Sequence, residues 1–339
     1  MNKKLLVIAV SAAMVAPAAT MAADAFVYGH AQVEVASYSD GTPSGTPPAS
    51  QGKDGVSVED NARGRLGVKA SEDLGNGLKA IAQFEWRVNT DLGGNPAGNR
   101  VSQVGLTGGF GTFVMGNLKS PYKYTGGVKY DPFVATSLQA RSNGGMSGKN
   151  LDPTGTGALG HHSFVSDLVA YASPKGPFTA SIGYGPSEDD GLVVLDLKYN
   201  QGGVEAFVAY LDAGDRLSAS TVVGLGGDSA YTAAKVGGQW KSGAHKISAQ
   251  YEMIEVTDAG GASTDPTVLF LGYQMKMGKN TFALQYGDTD YDTSADNTTY
   301  MALGVIHKMS KTTRVFGGYR DTSDVESVVT VGLRKDFKS

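Results

Sequence analysis

The sequence contains no cysteine. That excludes disulfides, thiolate nucleophiles and thiolate-held metals, and with them a disulfide-stapled secreted module, although an oxidising compartment stays open. Charge is also sparse. Charged residues are 18% of the chain, and 33 acids outnumber 29 bases, leaving −4. Such a balance suits neither general nucleic-acid binding nor a basic surface. No apolar run reaches the ~20 residues that a helix needs to cross a bilayer. The nearest is Leu5 to Val15, preceded by Lys3 and Lys4 and followed by the small-x-small site Thr20-Met21-Ala22. That is the pattern of a secretory signal over 1–22, with a mature start at Ala23 or Asp24. Its removal takes away two Lys and no acid, so the remaining balance is 27 − 33 = −6.

Motifs for catalysis or cofactor binding are missing too. Asp288-x-Asp290-x-Asp292 resembles the start of a calcium loop, but Thr293 stands where the sixth-position Gly should be and Thr299 where the twelfth-position Glu should be. His161-His162 has no carboxylate or His partner at metal-binding spacing. Gly144 to Asn150 lacks the spacing and the Ser/Thr of a phosphate loop. No strand–Ser–helix elbow or zincin helix is visible. The sequence therefore points to no enzyme, no cofactor and no metal.

What is present is glycine, tyrosine and alternation. There are 47 Gly and 16 Tyr. In segment after segment apolar and polar residues alternate with period two, the pattern of a strand with one apolar and one polar face. Ile247, Ala249, Tyr251 and Met253 oppose Lys246, Ser248, Gln250 and Glu252. Leu78, Ala80, Ala82, Phe84, Trp86 and Val88 oppose Lys79, Gln83, Glu85 and Arg87, with Ile81 the exception. Tyr184, Tyr199, Tyr210, Tyr273, Tyr286, Tyr319 and Phe337 fall near strand ends on the apolar face, where a membrane barrel carries its aromatic girdles. A soluble sandwich would also alternate. The connections favour the barrel: tight polar turns, such as Asp73 to Asn76, Gln201 to Gly203 and Lys241 to Gly243, alternate with longer Gly-, Ser- and Asp-rich loops.

This rhythm predicts an all-β fold, a sixteen-stranded antiparallel transmembrane barrel over 23–339. The strands should start near Phe26, Ser57, Gly77, Asn99, Gly111, Phe164, Phe178, Gly191, Gly203, Ser229, Ala244, Pro266, Asn280, Asn297, Thr312 and Glu326. An even number returns both ends to one side. The connection over about 118–163 is far longer than the others, and loops of that length are uncommon without a function. Inside a wide barrel it would fold into the lumen and narrow it.

Specific strings carry a family resemblance. The segment from Arg65 to Ala80 (RLGVKASEDLGNGLKA) resembles the second hairpin of neisserial-type Gram-negative general porins. Asn99-Arg100, Val104-Gly105-Leu106 and Gly109-Phe110-Gly111-Thr112 resemble the next hairpin, while Phe26-Val27-Tyr28-Gly29 and Val331-Gly332-Leu333-Arg334 resemble the two ends. The resemblance implies an outer-membrane homotrimer and passive diffusion of small hydrophilic solutes and ions. It also implies a pore narrowed by the third loop, of which Tyr130-Asp131-Pro132-Phe133 looks like part. By position, Arg65 and Arg100 match the family's constriction arginines and Glu85 a pore-lining acid. The chain departs from the family in three places. Phe164 stands near where a third arginine is common, Gly116-Asn117 replaces a common Gly-Arg, and Lys338 and Ser339 follow the terminal aromatic Phe337.

The charges can also be placed without the family. An Arg or Lys facing lipid at mid-bilayer costs about 2–4 kcal/mol, so strand cations should face water. Arg63, Arg65 and Lys69 share a face opposite Leu66 and Val68, and Arg314 and Arg320 lie opposite Val315 and Tyr319. Arg100 poses a conflict: strict alternation from Val104 and Leu106 turns it to lipid unless a bulge intervenes or it lies beyond the membrane band. The long loop brings Lys119, Lys123, Lys129, Arg141 and Lys149 against Asp131 and Asp152. A narrow zone built from these groups is net positive and predicts a modest anion preference. A substrate-selective anion channel on the same barrel is the second reading, and a barrel adhesin or enzyme a third.

Overall fold

The computed structural model describes residues 24–39, 53–93, 96–148, 164–187, 191–214, 229–291 and 297–339. The signal segment 1–22 and His161-His162 lie outside them. Sixteen antiparallel strands close into a barrel. They are β1 (Asp24–Ser39), β2 (Gly55–Glu59 and, after a break, Arg65–Gly75), β3 (Leu78–Val88), β4 (Pro96–Gly108), β5 (Gly111–Lys119), β6 (Phe164–Ala172), β7 (Phe178–Gly185) and β8 (Leu192–Gln201). The second half is β9 (Val204–Asp212), β10 (Ala230–Ser242), β11 (His245–Thr257), β12 (Ser263–Thr264 and Thr267–Met277), β13 (Asn280–Asp290), β14 (Thr298–Lys308), β15 (Thr313–Thr322) and β16 (Glu326–Lys338). Every start falls within a few residues of its expected place. The broken β2 is the one departure of consequence: Arg63 sits in the break and not on a continuous strand, its N–H donating to the Asp60 carbonyl at 2.9 Å.

Closure is made by the chain ends. β1 pairs β16 from Tyr28↔Lys338 to Ser39↔Ser327, and pairs both pieces of β2 on its other edge. Among the described residues the pairings run round the whole ring, with only the short pieces Gly55–Glu59 and Ser263–Thr264 paired on a single side. A sheet in hydrocarbon requires such closure, because an unpaired backbone group there has no water to satisfy it. Ser339 extends the seam, its N–H donating to the Val27 carbonyl at 3.0 Å.

The short connections have the residues that their geometry needs. Asn76 and Gly77 both take positive φ, 52° and 76°, as do Gly202 and Gly203 at 63° and 84°. Two positive-φ residues in succession make the hairpin turn whose twist matches that of the strands, and Gly and Asn accept it at least cost.

The barrel is apolar outside. Val104, Ile182, Leu197, Leu271, Leu284, Met301, Leu303 and Val331 are exposed on its outer surface, and Val331 reaches 62%. Their strand neighbours turned inward are mostly polar or small: Gln32, Glu34, Gln83, Glu85, Gln250, Glu252, Gln285 and Thr330 are all buried. The exposed aromatics Tyr184, Tyr273, Tyr286, Tyr319 and Phe337 share the outer face. No helix among the described residues is long and apolar enough to cross a membrane. The apolar outside and polar inside invert the order of a water-soluble domain.

Candidate functional site

The site is the lumen, and the connection after β5 fills part of it. From Ser120 to Gly148 the chain folds against the inside of the wall. It begins with one helical turn over Pro121–Tyr124 and a 3-10 turn over Gly127–Lys129. Gly126 and Gly127 have φ of 60° and 50°, and a Cβ on Gly126 would meet the Phe207 ring at 2.1 Å. Glycine thus lets the backbone pass hard against β9.

Apolar side chains glue the loop down. Tyr130, Ala140 and Met146 pack with Phe207, Phe270, Tyr300 and Ala302 of the wall. Phe133 and Leu138 pack with Ala36, Ala283 and Val328. Complete burial of side chains such as Phe133, Leu138 and Met146 is worth roughly 1.5–3 kcal/mol each. The inward face is therefore polar where it meets water and apolar where it meets the loop.

Wall carboxylates and amides orient the loop. Glu34 on β1 accepts from the Ser137 N–H with both oxygens, at 3.1 Å each, and also from Asn61 Nδ2 at 2.6 Å and Thr330 Oγ1 at 2.8 Å. Asp196 on β8 accepts from Thr125 Oγ1 at 2.6 Å, and Glu205 on β9 from the Tyr130 hydroxyl at 3.0 Å. Glu252 on β11 accepts from Tyr122 and Ser147, and Gln250 from the Gly127 N–H. These contacts hold the loop against the β8–β15 side and β1.

Asp131 belongs to this fastening. Its carboxylate accepts from the Phe133 and Ala140 N–H groups at 2.8 and 2.9 Å and from Gln285 Nε2 on β13 at 3.0 Å. Burial raises its pKa, opposed by those three donors. It is turned into the wall, within electrostatic reach of Arg141 of the same loop and without an ion pair to Arg65 or Arg100. Arg320 is likewise inward but enclosed, 1% exposed and paired with Glu326 beneath the loop.

The strands β2–β4, with β15 and β16 across the seam, carry most of the inward cations. Arg65 on β2 and Arg100 on β4 converge on Glu85 of β3, with Arg100 Nε at 2.7 Å and Arg65 NH1 at 3.6 Å from the same oxygen. Tyr28 donates to the other oxygen at 2.8 Å. The parity conflict at Arg100 is resolved by a bulge: Glu85 pairs with Val101 and Trp86 with Asn99, so Arg100 has no partner of its own and joins Val101 on the inner side. Asn117, at one of the departures from the family pattern, donates to the Arg100 carbonyl at 3.0 Å and supports that bulge. Arg314 and Arg334 share Asp336 at 3.0 and 2.6 Å, and Arg87 reaches Asp60 at 3.7 Å. Arg63 lies within electrostatic reach of Arg334, Arg65 and Arg314, and the Lys69 ammonium lies over the Tyr28 ring. Seven cations gather here (Arg63, Arg65, Lys69, Arg87, Arg100, Arg314, Arg334), and the carboxylates within ion-pair distance of them are Asp60, Glu85 and Asp336, with Asp91 bonded to the Asp60 N–H.

Phe164, a second of the three departures, lies among the cations. The Arg100 guanidinium sits over its ring at 4.7 Å and the Lys123 ammonium at 4.9 Å. Lys123 and Lys119 both lie 5.4 Å from the Tyr124 ring. Arg100, Phe164, Lys123, Tyr124 and Lys119 thus form a ladder in which rings separate like charges without neutralising them. Among the sequence candidates, Arg63, Arg65, Lys69, Glu85, Arg100, Lys123 and Arg314 lie on or beside this basic wall, while Asp131 and Arg320 do not. The wall acids that fasten the loop were not singled out from sequence, although each is an acid at an inward position of a strand.

A closed barrel with lipid-facing apolar residues, a charged lumen and an infolded loop defines a pore-forming protein of the bacterial outer membrane. The chain belongs to the Gram-negative porin family: the family model matches residues 9–327. It is 38% identical over 128 residues to the major outer membrane protein P.IB of Neisseria gonorrhoeae, covering 38% of this chain and 33% of that one. The chain thus matches only a third of the length of that relative. It is 29% identical over 278 residues to outer membrane porin protein 32 of Delftia acidovorans, covering 78% and 75%. The structure of an anion-selective porin from Comamonas acidovorans has the same fold, with a TM-score of 0.76 and 21% identity over 93% of this chain and all of that one.

Proposed function

We propose that this protein is a general diffusion porin that passes small hydrophilic solutes and ions, with a preference for anions. The observation that carries the reading is the division of the lumen. Carboxylates on β1, β8, β9 and β11 are spent on fastening the loop, and the cations of β2–β4, β15 and β16 outnumber the carboxylates that pair with them. An ion crossing the narrow zone meets Arg65, Arg100, Lys123 and their neighbours, with Glu85 and Tyr28 holding the two arginines in place. Low-dielectric walls concentrate that field, so a basic rim raises the local concentration of anions. The solved porin described as anion-selective supports the same direction. The protein acts as a channel and not as an enzyme. It is exported by a cleaved signal over 1–22, and the family supports a homotrimer.

Reconstitution into a planar bilayer tests this. The expected record is ohmic current rising in steps grouped by three, with a reversal potential across a KCl gradient on the anion-selective side. Cation selectivity would overturn the charge argument, and folded protein without conductance would overturn the pore.

A further inference from the structure

A second feature of the lumen lies off the arginine wall. Between the base of the infolded loop and strands β4–β8 is a recess of about 320 Å³. Its polar lining includes Lys119, Lys129, Lys198, Asp196, Tyr124 and Ser120. Three ammonium groups against one carboxylate give it 3 − 1 = +2. The carboxylate Oδ1 is already engaged, with Lys198 Nζ at 3.4 Å and Thr125 Oγ1 at 2.6 Å, while Oδ2 is buried without a hydrogen-bond partner among the described residues. Lys119 and Lys129 have no carboxylate within ion-pair distance among the described residues. Burial, and then the neighbouring Lys198 ammonium, push the Lys129 ammonium below its ordinary pKa. An anion between the two would relieve that repulsion. Ser120 Oγ, on a residue with no solvent exposure, has no hydrogen-bond partner among the described residues and lines the same recess. A buried hydroxyl in that state is a donor awaiting an acceptor.

The rest of the lining is apolar, from Val114, Leu118, Pro121 and Ala170. An inorganic anion would satisfy the ammonium groups but leave that surface wet. A carboxylate carried on a flat apolar body satisfies both, and the volume is at the small end of the ~300–1,000 Å³ range of ligand pockets. The recess also meets the cation ladder at Lys119 and Tyr124, so an anion drawn along Arg100 and Lys123 arrives at its mouth.

We propose that this recess is a binding subsite for small organic anions with an apolar ring, of the aromatic carboxylate class, beside the ion path. The proposal rests on the pore reading and makes that pore partly selective among its anions. Binding in a channel must be weak enough to permit exit.

The test is ion current through the reconstituted full chain with sodium benzoate or sodium acetate added. Benzoate should reduce the current saturably, with half-block at a concentration about tenfold lower than any effect of acetate, because only benzoate buries a ring. In the Lys129→Gln/Lys198→Gln double variant, checked for folding by its heat-modifiable mobility, half-block should move at least about fivefold higher. Leu118→Ser should weaken benzoate block and leave acetate unchanged. Equal effects of benzoate and acetate, or unchanged block in the double variant, would overturn the subsite while leaving the pore intact. If the protein conducts nothing, the pore reading fails, and equilibrium dialysis of benzoate against nanodisc-embedded wild type and double variant decides the subsite: greater retention by wild type supports it, and equal retention overturns it.

Discussion

Replacing Glu85 by Gln isolates the electrostatics of the narrow zone. Glu85 is the one carboxylate between Arg65 and Arg100, and it also accepts from Tyr28. Gln keeps the shape and an acceptor for Arg100 Nε but removes one negative charge, so the local balance of the basic wall becomes more positive by one. A unit charge acting on an ion ~6 Å away through water contributes about 0.7 kcal/mol, reduced to ~0.3 kcal/mol at physiological ionic strength. The anion gains that amount and the cation loses it, so the chloride-to-potassium permeability ratio should rise about threefold. The assay is the reversal potential across a tenfold KCl gradient at fixed pH. Raising the salt should shrink the difference between the two proteins, since the Debye length falls to ~3 Å at 1 M. An unchanged potential at low salt, or a shift towards cations, would refute the placement of Glu85 on the ion path.

Other consequences follow from the packing. Phe164→Leu removes the ring shared by Arg100 and Lys123, two contacts worth about 0.5–2 kcal/mol each; thermal unfolding should come earlier and open-channel noise should rise, while Phe164→Tyr should match wild type in both. Glu34→Ala leaves the Ser137 N–H, Asn61 and Thr330 without their common acceptor, at a cost of about 1–3 kcal/mol per buried unsatisfied group. The loop should then fluctuate, read as added subconductance levels at unchanged reversal potential; a quiet single-level channel would count against Glu34 as its fastening. Asn117→Ala removes the support of the Arg100 bulge and should lower the anion preference without any change in net charge, as measured by the same potential.

Most of the barrel was legible in the sequence, because period-two alternation and turn chemistry are local. The Asn76-Gly77 and Gly202-Gly203 pairs mark their turns, and each strand start followed from the end of the turn before it. Arg65 and Glu85 were legible for the same reason, each lying at an inward parity of an unbroken strand piece. Arg100 was not, since parity alone sent it to lipid; the bulge that turns it inward depends on pairing with β3 and on Asn117, neither of which a single strand reveals. Asp131 carried the right loop but the wrong neighbours to sequence reasoning: its partners include Gln285, which is 154 positions away in the chain. The acids Glu34, Asp196, Glu205 and Glu252 looked like ordinary lumen residues, because only the path of the infolded loop shows that they are consumed as acceptors. Phe164 read as a loss of charge. In the structure it is the ring that holds two cations side by side.

The absence of cysteine makes one measurement especially direct. Arg65 and Leu66 are neighbours on β2, yet the account puts the first in the ion path and the second against lipid. Arg65→Cys and Leu66→Cys, each introduced alone, can be treated in the bilayer with an anionic methanethiosulfonate. Modification at 65 should lower the current and move the reversal potential towards cations, and a cationic reagent there should move it back towards wild type. Modification at 66 should change neither. A response at 66 with none at 65 would mean that the faces of the wall are assigned the wrong way round, and the basic, water-lined pore would fall with them.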